Sequence, residues 1–430
     1  MSTKQYGKVP WGAEAIDWEE RVNMPRMREE RAARARAKMK EYGFPVMLLT
    51  DGANRRYTTG ISAGILSERL PGAAGQTIVF AEKKLEDTVD YCLEGNLTRQ
   101  ARFHSPWIKP ENIRTCFSME PHMGHEVIKE HAERQAKAIA QVLREEGLGE
   151  EQLAYDSSFP PLMAALENEG IKLVAAWDVL QEARTVKTED EVNCMRIGGI
   201  IADAGWGAMF KELRPGITER ELAGKMAAAV FEKQQGGNPV ISLRSGPNTA
   251  PNWLSHSPTD RVIEAGDLVI CDMIGCGYSG YNSCYYRTWK CGTKPNEKEK
   301  DLYKRVYEWL YAAAEEIKPG KTTADAAKKW PTCDHWGYAE EYECWSNALG
   351  HGQGLSGYEY PRIGRCCSID HPQLIEKGMV IALETWDGED FVGGVRLENM
   401  GVVTDNGWEN LYQWPDEEIT CPMHQLIYGY

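Results

Sequence analysis

Gly350-His351-Gly352-Gln353-Gly354-Leu355 sets one imidazole among three glycines, in a chain of 430 residues that holds nine histidines. Three carboxylates stand in comparable short, glycine-bounded segments. Asp272 follows Gly266-Asp267-Leu268-Val269, Glu384 follows Gly378, and Glu398 closes Val395-Arg396-Leu397-Glu398. One imidazole with three carboxylates is a donor set for one or two divalent cations. Such cations polarise a substrate oxygen and acidify bound water. These four residues decide how the rest of the chain is read.

At 430 residues the chain exceeds one ordinary core, and two domains are expected. Hydrophobic residues make up 42% and there are 14 Trp, enough for globular packing. A formal net charge of −15 argues against nucleic acid or an anionic membrane as the main partner. The segment from Met1 to Ala15 is polar and predicts no signal peptide, and no stretch has the apolar length of a membrane span. The 12 Cys are scattered without a CxxC pair, which predicts reduced thiols and a cytoplasmic protein.

From the N-terminus, Glu20 to Tyr42 reads as a long exposed helix, rich in Arg, Glu and Ala. Pro45–Thr50 and Thr77–Phe80 read as strands, Glu126–Glu146 as a helix, and Leu153–Asp156 and Lys172–Val174 as further strands, an α/β alternation. His104, His122, His125 and His131 lie in this half, at spacings outside any tight ligand pattern, and are read as surface or capping residues. Thr188 with Glu191 forms a capping box for a helix running to about Leu213. Pro215-Gly216-Ile217-Thr218-Glu219 then starts another. Lys318-Pro319-Gly320-Lys321-Thr322 repeats that phrase and hints at an internal duplication. The domains are therefore set at 1–180 and 181–430.

The run from Arg184 to the C-terminus resembles the pita-bread superfamily of creatinase, prolidase, aminopeptidase P and methionine aminopeptidase. The matching phrases are Arg184–Glu191, Ser245-Gly246-Pro247-Asn248, Gly266–Val269, Gly280-Tyr281 with Arg287-Thr288, Gly350–Leu355, and Val395–Glu398 leading to Val402-Val403-Thr404. The first 180 residues resemble the creatinase-type N-terminal domain through Asn54-Arg55-Arg56-Tyr57 and Gly60. The resemblance implies an α/β protein, with a creatinase-like N-terminal domain and a duplicated α+β catalytic domain. It also implies a homodimer acting on a small-molecule substrate.

Carried over by position, Asp272, His351, Glu384 and Glu398 are the implied metal ligands. The family's second Asp falls on Cys284, three residues before Arg287. A thiolate there suits a softer ion, and one divalent metal (iron, zinc or manganese) is expected, with Cys284 an optional ligand. A metal-free site like creatinase's is the other reading. Where the peptidases carry a second His beside a Glu, this chain has Tyr358 before Glu359. Ser245–Trp253 and Asp272–Gly275 also resemble the peptidase-like lyases that cleave dimethylsulfoniopropionate (DMSP). Their additional Asp and their proposed base fall on Ile270 and Gly357 here.

The expected activity is hydrolysis of a C–N bond in a small molecule, with Glu384 as base and His256 or Tyr358 serving the leaving group. Three alternatives stand beside it: an eliminating lyase, an Xaa-Pro peptidase, and a non-catalytic pseudo-peptidase. Trp253, Tyr281, Tyr285, Tyr286, Trp289 and Trp386 crowd the same segments and offer either core packing or an aromatic box.

Overall fold

In the computed structural model of the chain the described residues are 22–61, 75–92, 95–234, 239–252 and 257–422. They divide into two compact units, with the boundary between Arg184 and Thr185.

The first unit is an α/β layer built on a six-stranded sheet. Its strands are β1 (Val46–Leu49), β2 (Gln76–Phe80), β3 (Val89–Cys92), β4 (Ile113–Thr115), β5 (Gln152–Tyr155) and β6 (Lys172–Ala175). Their order is β4-β3-β2-β1-β5-β6, with β1 antiparallel to β2 and parallel to β5. The Met24–Glu41 helix is capped by the Asn23 side chain and is not the exposed rod its composition suggests. Met27, Ala32, Ala35 and Met39 form a buried stripe at helical spacing, and Arg31 and Arg36 are buried with them. The His125–Glu145 helix packs Ala132, Ala136, Ile139 and Leu143 into the same core as Leu48, Ile78 and Leu153.

The second unit holds the four signature residues. Thr188 and Glu191 close the capping box of the Glu189–Glu212 helix, and Thr218 with Glu221 does the same for Glu219–Phe231. Asn296 with Glu299 caps Glu297–Ala314, and Thr322 with Asp325 caps Thr323–Ala327. The strands are β7 (Val240–Ser245), β8 (Leu268–Ile274), β9 (Gly277–Tyr278), β10 (Tyr281–Asn282), β11 (Tyr286–Lys290), β12 (Ala348–Gly352), β13 (Glu359–Ile363), β14 (Val380–Glu389), β15 (Gly393–Thr404) and β16 (Gly407–Asn410). They form sheets in the orders β11-β8-β7 and β13-β12-β14-β15-β16, with β9 and β10 as a separate pair.

The two Pro-Gly-Thr phrases mark a structural repeat. Thr218 bridges Val262 and Thr322 bridges Leu374, each just ahead of a buried strand. Those strands begin after Gly266 and Gly378, whose φ values of +96° and +87° fall where glycine is favoured. Asp272 lies six residues beyond the first glycine (272 − 266) and Glu384 six beyond the second (384 − 378). The two carboxylates therefore hold equivalent places in the two halves. Among the described residues no helix is long and apolar enough to cross a membrane.

Candidate metal centre

β8 carries Asp272, β12 carries His351, β14 carries Glu384 and β15 carries Glu398, while Cys284 lies between β10 and β11. In the β14–β15 ladder Glu384 and Glu398 are direct cross-strand partners, so both carboxylates project to one face. Leu349 lies opposite Glu384 on β12, and His351, two residues on, shares its face. The two sheets meet at the Arg287-Thr288 pair. The Thr288 hydroxyl donates to the Arg396 carbonyl (2.8 Å) and accepts from the Arg396 amide (2.9 Å), and Arg287 donates to the Glu398 carbonyl (2.8 Å). That seam brings the β8 and β15 carboxylates together.

All five candidate ligands are buried. Like charges facing one another out of water demand a counter-charge. Half of it is built in. Arg396 sits two residues before Glu398, on the same face of β15, and its guanidinium ion-pairs with Glu384 while also donating to Asn252. Asn252 is fixed in turn by the Ser346 carbonyl (2.8 Å).

The other half is left open. Neither Glu398 oxygen has a nitrogen or oxygen hydrogen-bond partner among the described residues, the Cys284 thiol being the group that hydrogen-bonds to this carboxylate, and His351 Nε2, 3.7 Å from Glu398 Oε1, has no partner. His351 Nδ1 lies 3.0 Å from the Gly352 carbonyl, which assigns its proton to Nδ1 and leaves the Nε2 lone pair facing the carboxylate. Donor atoms of Cys284, His351 and Glu398 lie within 4.8 Å of one another. Sulfur, imidazole and carboxylate around three orphaned atoms fit one cation, which Cys284, His351 and Glu398 would hold. Asp272 and Glu384 flank this trio without belonging to it.

The remaining candidates sort as follows. The Tyr358 ring lies 4.4 Å from the His351 ring, on a residue that is 53% exposed. Glu359 is taken by Lys187, 2.9 Å away and equally buried. His256 and Trp253 lie outside the described residues. The aromatic residues are mostly core: Tyr285 stacks on Tyr412 at 3.7 Å, Trp289 on Trp206 at 5.8 Å, and Trp386 donates to the Thr249 carbonyl. Tyr286 differs, because it sits opposite Asp272 in the β8–β11 ladder with the Arg396 guanidinium 4.6 Å from its ring centroid. The N-terminal histidines join no metal-ligating group among the described residues.

Electrostatics predicts how the cation-free site responds to pH. Burial, then the facing charges, raises the carboxyls of Asp272 and Glu398 well above the usual range. A carboxyl raised on folding contributes stability below its unfolded pKa of about 4, and that stability is lost as pH climbs through the folded value. His351 is lowered, chiefly by burial. Its contribution has the opposite slope, rising with pH, and is complete above about pH 6.5. Above that pH the carboxyl trend remains, and the buried thiols of Cys271 and Cys284, also raised, add a loss of the same sign as pH nears 8.5. Chelator-stripped protein should therefore melt at progressively lower temperature from pH 6.5 to 8.5. The gap to zinc-loaded protein should widen, because ligands shed protons to bind. A flat or rising melting curve for the stripped protein across that range would reject the account.

With this geometry in hand, the comparisons with known proteins are direct. Residues 193–405 match metallopeptidase family M24, and residues 31–186 match the creatinase/prolidase N-terminal domain. The chain is 34% identical over 239 residues to an Xaa-Pro dipeptidase of Pyrococcus furiosus, a match spanning 54% of this chain and 65% of that relative. It is 31% identical over 267 residues to a probable dipeptidase PepE of Mycobacterium bovis, covering 61% of this chain and 67% of the relative. The prolidase structure from Pyrococcus horikoshii superposes with a TM-score of 0.69 at 26% identity, over 91% of this chain and all of that one. The chain belongs to metallopeptidase family M24, with a creatinase-type N-terminal domain ahead of the pita-bread domain. It is a member of a hydrolase family that normally binds divalent metal. The three relatives named above are peptidases and none is a lyase, so the suggested elimination chemistry gains no support from them.

Sequence reasoning quoted Arg396 without giving it a role, and counted Tyr286 only as an aromatic. The signal for Arg396 was its two-residue spacing from Glu398 on a strand. For Tyr286 and Asn252 no local signal existed, since cross-strand register and the Ser346 contact place them.

Proposed function

We propose that the protein hydrolyses a C–N bond in a small, peptide-like substrate at a site taking one divalent cation, zinc or ferrous iron rather than manganese. The observation that carries this reading is the split in the acidic cluster. Glu384 already has Arg396, whereas Glu398 and His351 share orphaned donors with Cys284. A thiolate, an imidazole and a carboxylate favour the softer ions. Bound there, the cation would supply Lewis acidity to the substrate oxygen and an acidified water. Glu384 is assigned as the proton acceptor, its plane fixed by Arg396. Tyr358 is assigned to the leaving amine, with His256 as the other candidate. The relatives' names support hydrolysis of an amide bond.

A second reading, a true Xaa-Pro dipeptidase, is favoured by those same names; Tyr358 in place of a second histidine counts against it. One experiment separates them. Purified protein, loaded in turn with zinc, iron or manganese, is assayed against Xaa-Pro and other dipeptides, creatine, ectoine-like amides and DMSP, and its metal is counted. The expected result is amine release from an amide, dependent on metal and saturating near one equivalent per chain. Saturation at two equivalents with preference for Xaa-Pro would favour the second reading. Turnover of DMSP alone would replace hydrolysis by elimination.

A further inference from the structure

We propose that the Tyr286 hydroxyl donates the hydrogen bond that holds the substrate's carbonyl oxygen beside the acidic cluster. The inference deepens the hydrolase reading above and rests on it. It starts from an inventory of donors. Glu384, paired with Arg396, and Glu398, deprotonated when it holds a cation, only accept. The His351 Nδ1 proton is committed to the Gly352 carbonyl. Arg396 spends one terminal nitrogen on Glu384 and the other on Asn252, which leaves only its Nε–H without a partner among the described residues. A carbonyl oxygen that gains negative charge during amide hydrolysis therefore meets acceptors on nearly every side.

Tyr286 supplies a neutral donor that no other group in the site uses. Its residue is 2% exposed, and its hydroxyl is buried without a partner among the described residues. Cross-strand pairing with Asp272 places the ring on the cluster's face of the sheet. Arg396 over the ring holds it against that face. The β11 backbone, seamed to β15 through Thr288, fixes the ring's base. A rigid phenol in a dry site is a preorganised donor: little reorganisation is needed when charge develops on the oxygen it faces. An orphaned buried hydroxyl stabilises nothing in the resting protein, which points to a partner that arrives with the substrate.

The test is Tyr286→Phe in the full-length, zinc-loaded protein, a change that removes one oxygen and keeps the ring. Expected is a fall in kcat/KM of about 10²–10³-fold, as for loss of one oxyanion donor. Zinc content should not change, and the melting temperature should stay level or rise. A second arm needs no turnover: a phosphinate dipeptide analogue, whose oxygens mimic the charged intermediate, should bind at least about tenfold more weakly to the variant. Rates and phosphinate affinity both within about threefold of wild type would overturn the proposal. So would a drop in melting temperature with kinetics unchanged, which marks a structural hydroxyl. If wild-type protein cleaves no C–N substrate, the hydrolase reading falls, and the phosphinate arm alone decides Tyr286.

Discussion

His351→Ala should remove both cation binding and turnover, whereas Glu384→Gln should remove turnover and leave the cation in place. The contrast follows from where each side chain sits. His351 contributes the one nitrogen in the Cys284–His351–Glu398 trio, and its Nε2 has no other partner. Without it a thiol and a carboxylate remain, both pushed well up by burial, so that each must give up a proton for a cation to bind. Protonated groups bind a cation poorly. A bound cation supplies several kcal/mol of charge stabilisation, so its loss should slow turnover on the order of 10³-fold or more. Glu384 lies outside the trio and is tied to Arg396. Glutamine there keeps the shape and loses the proton acceptor, which should reduce kcat about 10²–10⁴-fold. Metal analysis beside steady-state kinetics checks both, with circular dichroism confirming the fold. Near-wild-type rates in either variant, or zinc retained by His351→Ala, would reject the assignment.

Some features were legible in the chain because they are local. The capping box at Thr188 follows from side-chain spacing alone, and it and the helix start after Pro215-Gly216 stand where they were read. The repeated Pro-Gly-Thr phrase pointed to a duplication, and the equal spacing from Gly266 to Asp272 and from Gly378 to Glu384 gives that duplication its structural content. The Met24–Glu41 helix was misjudged as exposed because alanine is equally at home on a surface and in a tight helix contact. Partner choice was the part that sequence could not give. The quartet Asp272, His351, Glu384 and Glu398 was read as one ligand set, and the structure adds a guanidinium beside Glu384 and a thiol and imidazole beside Glu398. That division depends on the β14–β15 register and on the Thr288 seam, the second of which links residues more than a hundred positions apart.

The same division makes Arg396 the residue on which the stability of this domain turns. Arg396 and Glu384 are both essentially inaccessible to water. A buried ion pair is weak evidence of net stabilisation, but removing one partner strands the other, which typically costs about 3–5 kcal/mol. Arg396→Met keeps an unbranched side chain against the Tyr286 ring and leaves Glu384 without its counter-charge beside Asp272 and Glu398. Urea unfolding of the chelated variant should show that loss. Adding Glu384→Gln in the same chain should restore most of it, because a neutral amide has no charge to strand. A consequence for metal follows. Freed from the guanidinium, Glu384 can join Asp272 in holding a cation, so Arg396→Met titrated with zinc should take up a second equivalent where the wild type stops at one. If Arg396→Met unfolds within about 1 kcal/mol of wild type and still saturates at one zinc, the guanidinium is not the second positive charge of this site.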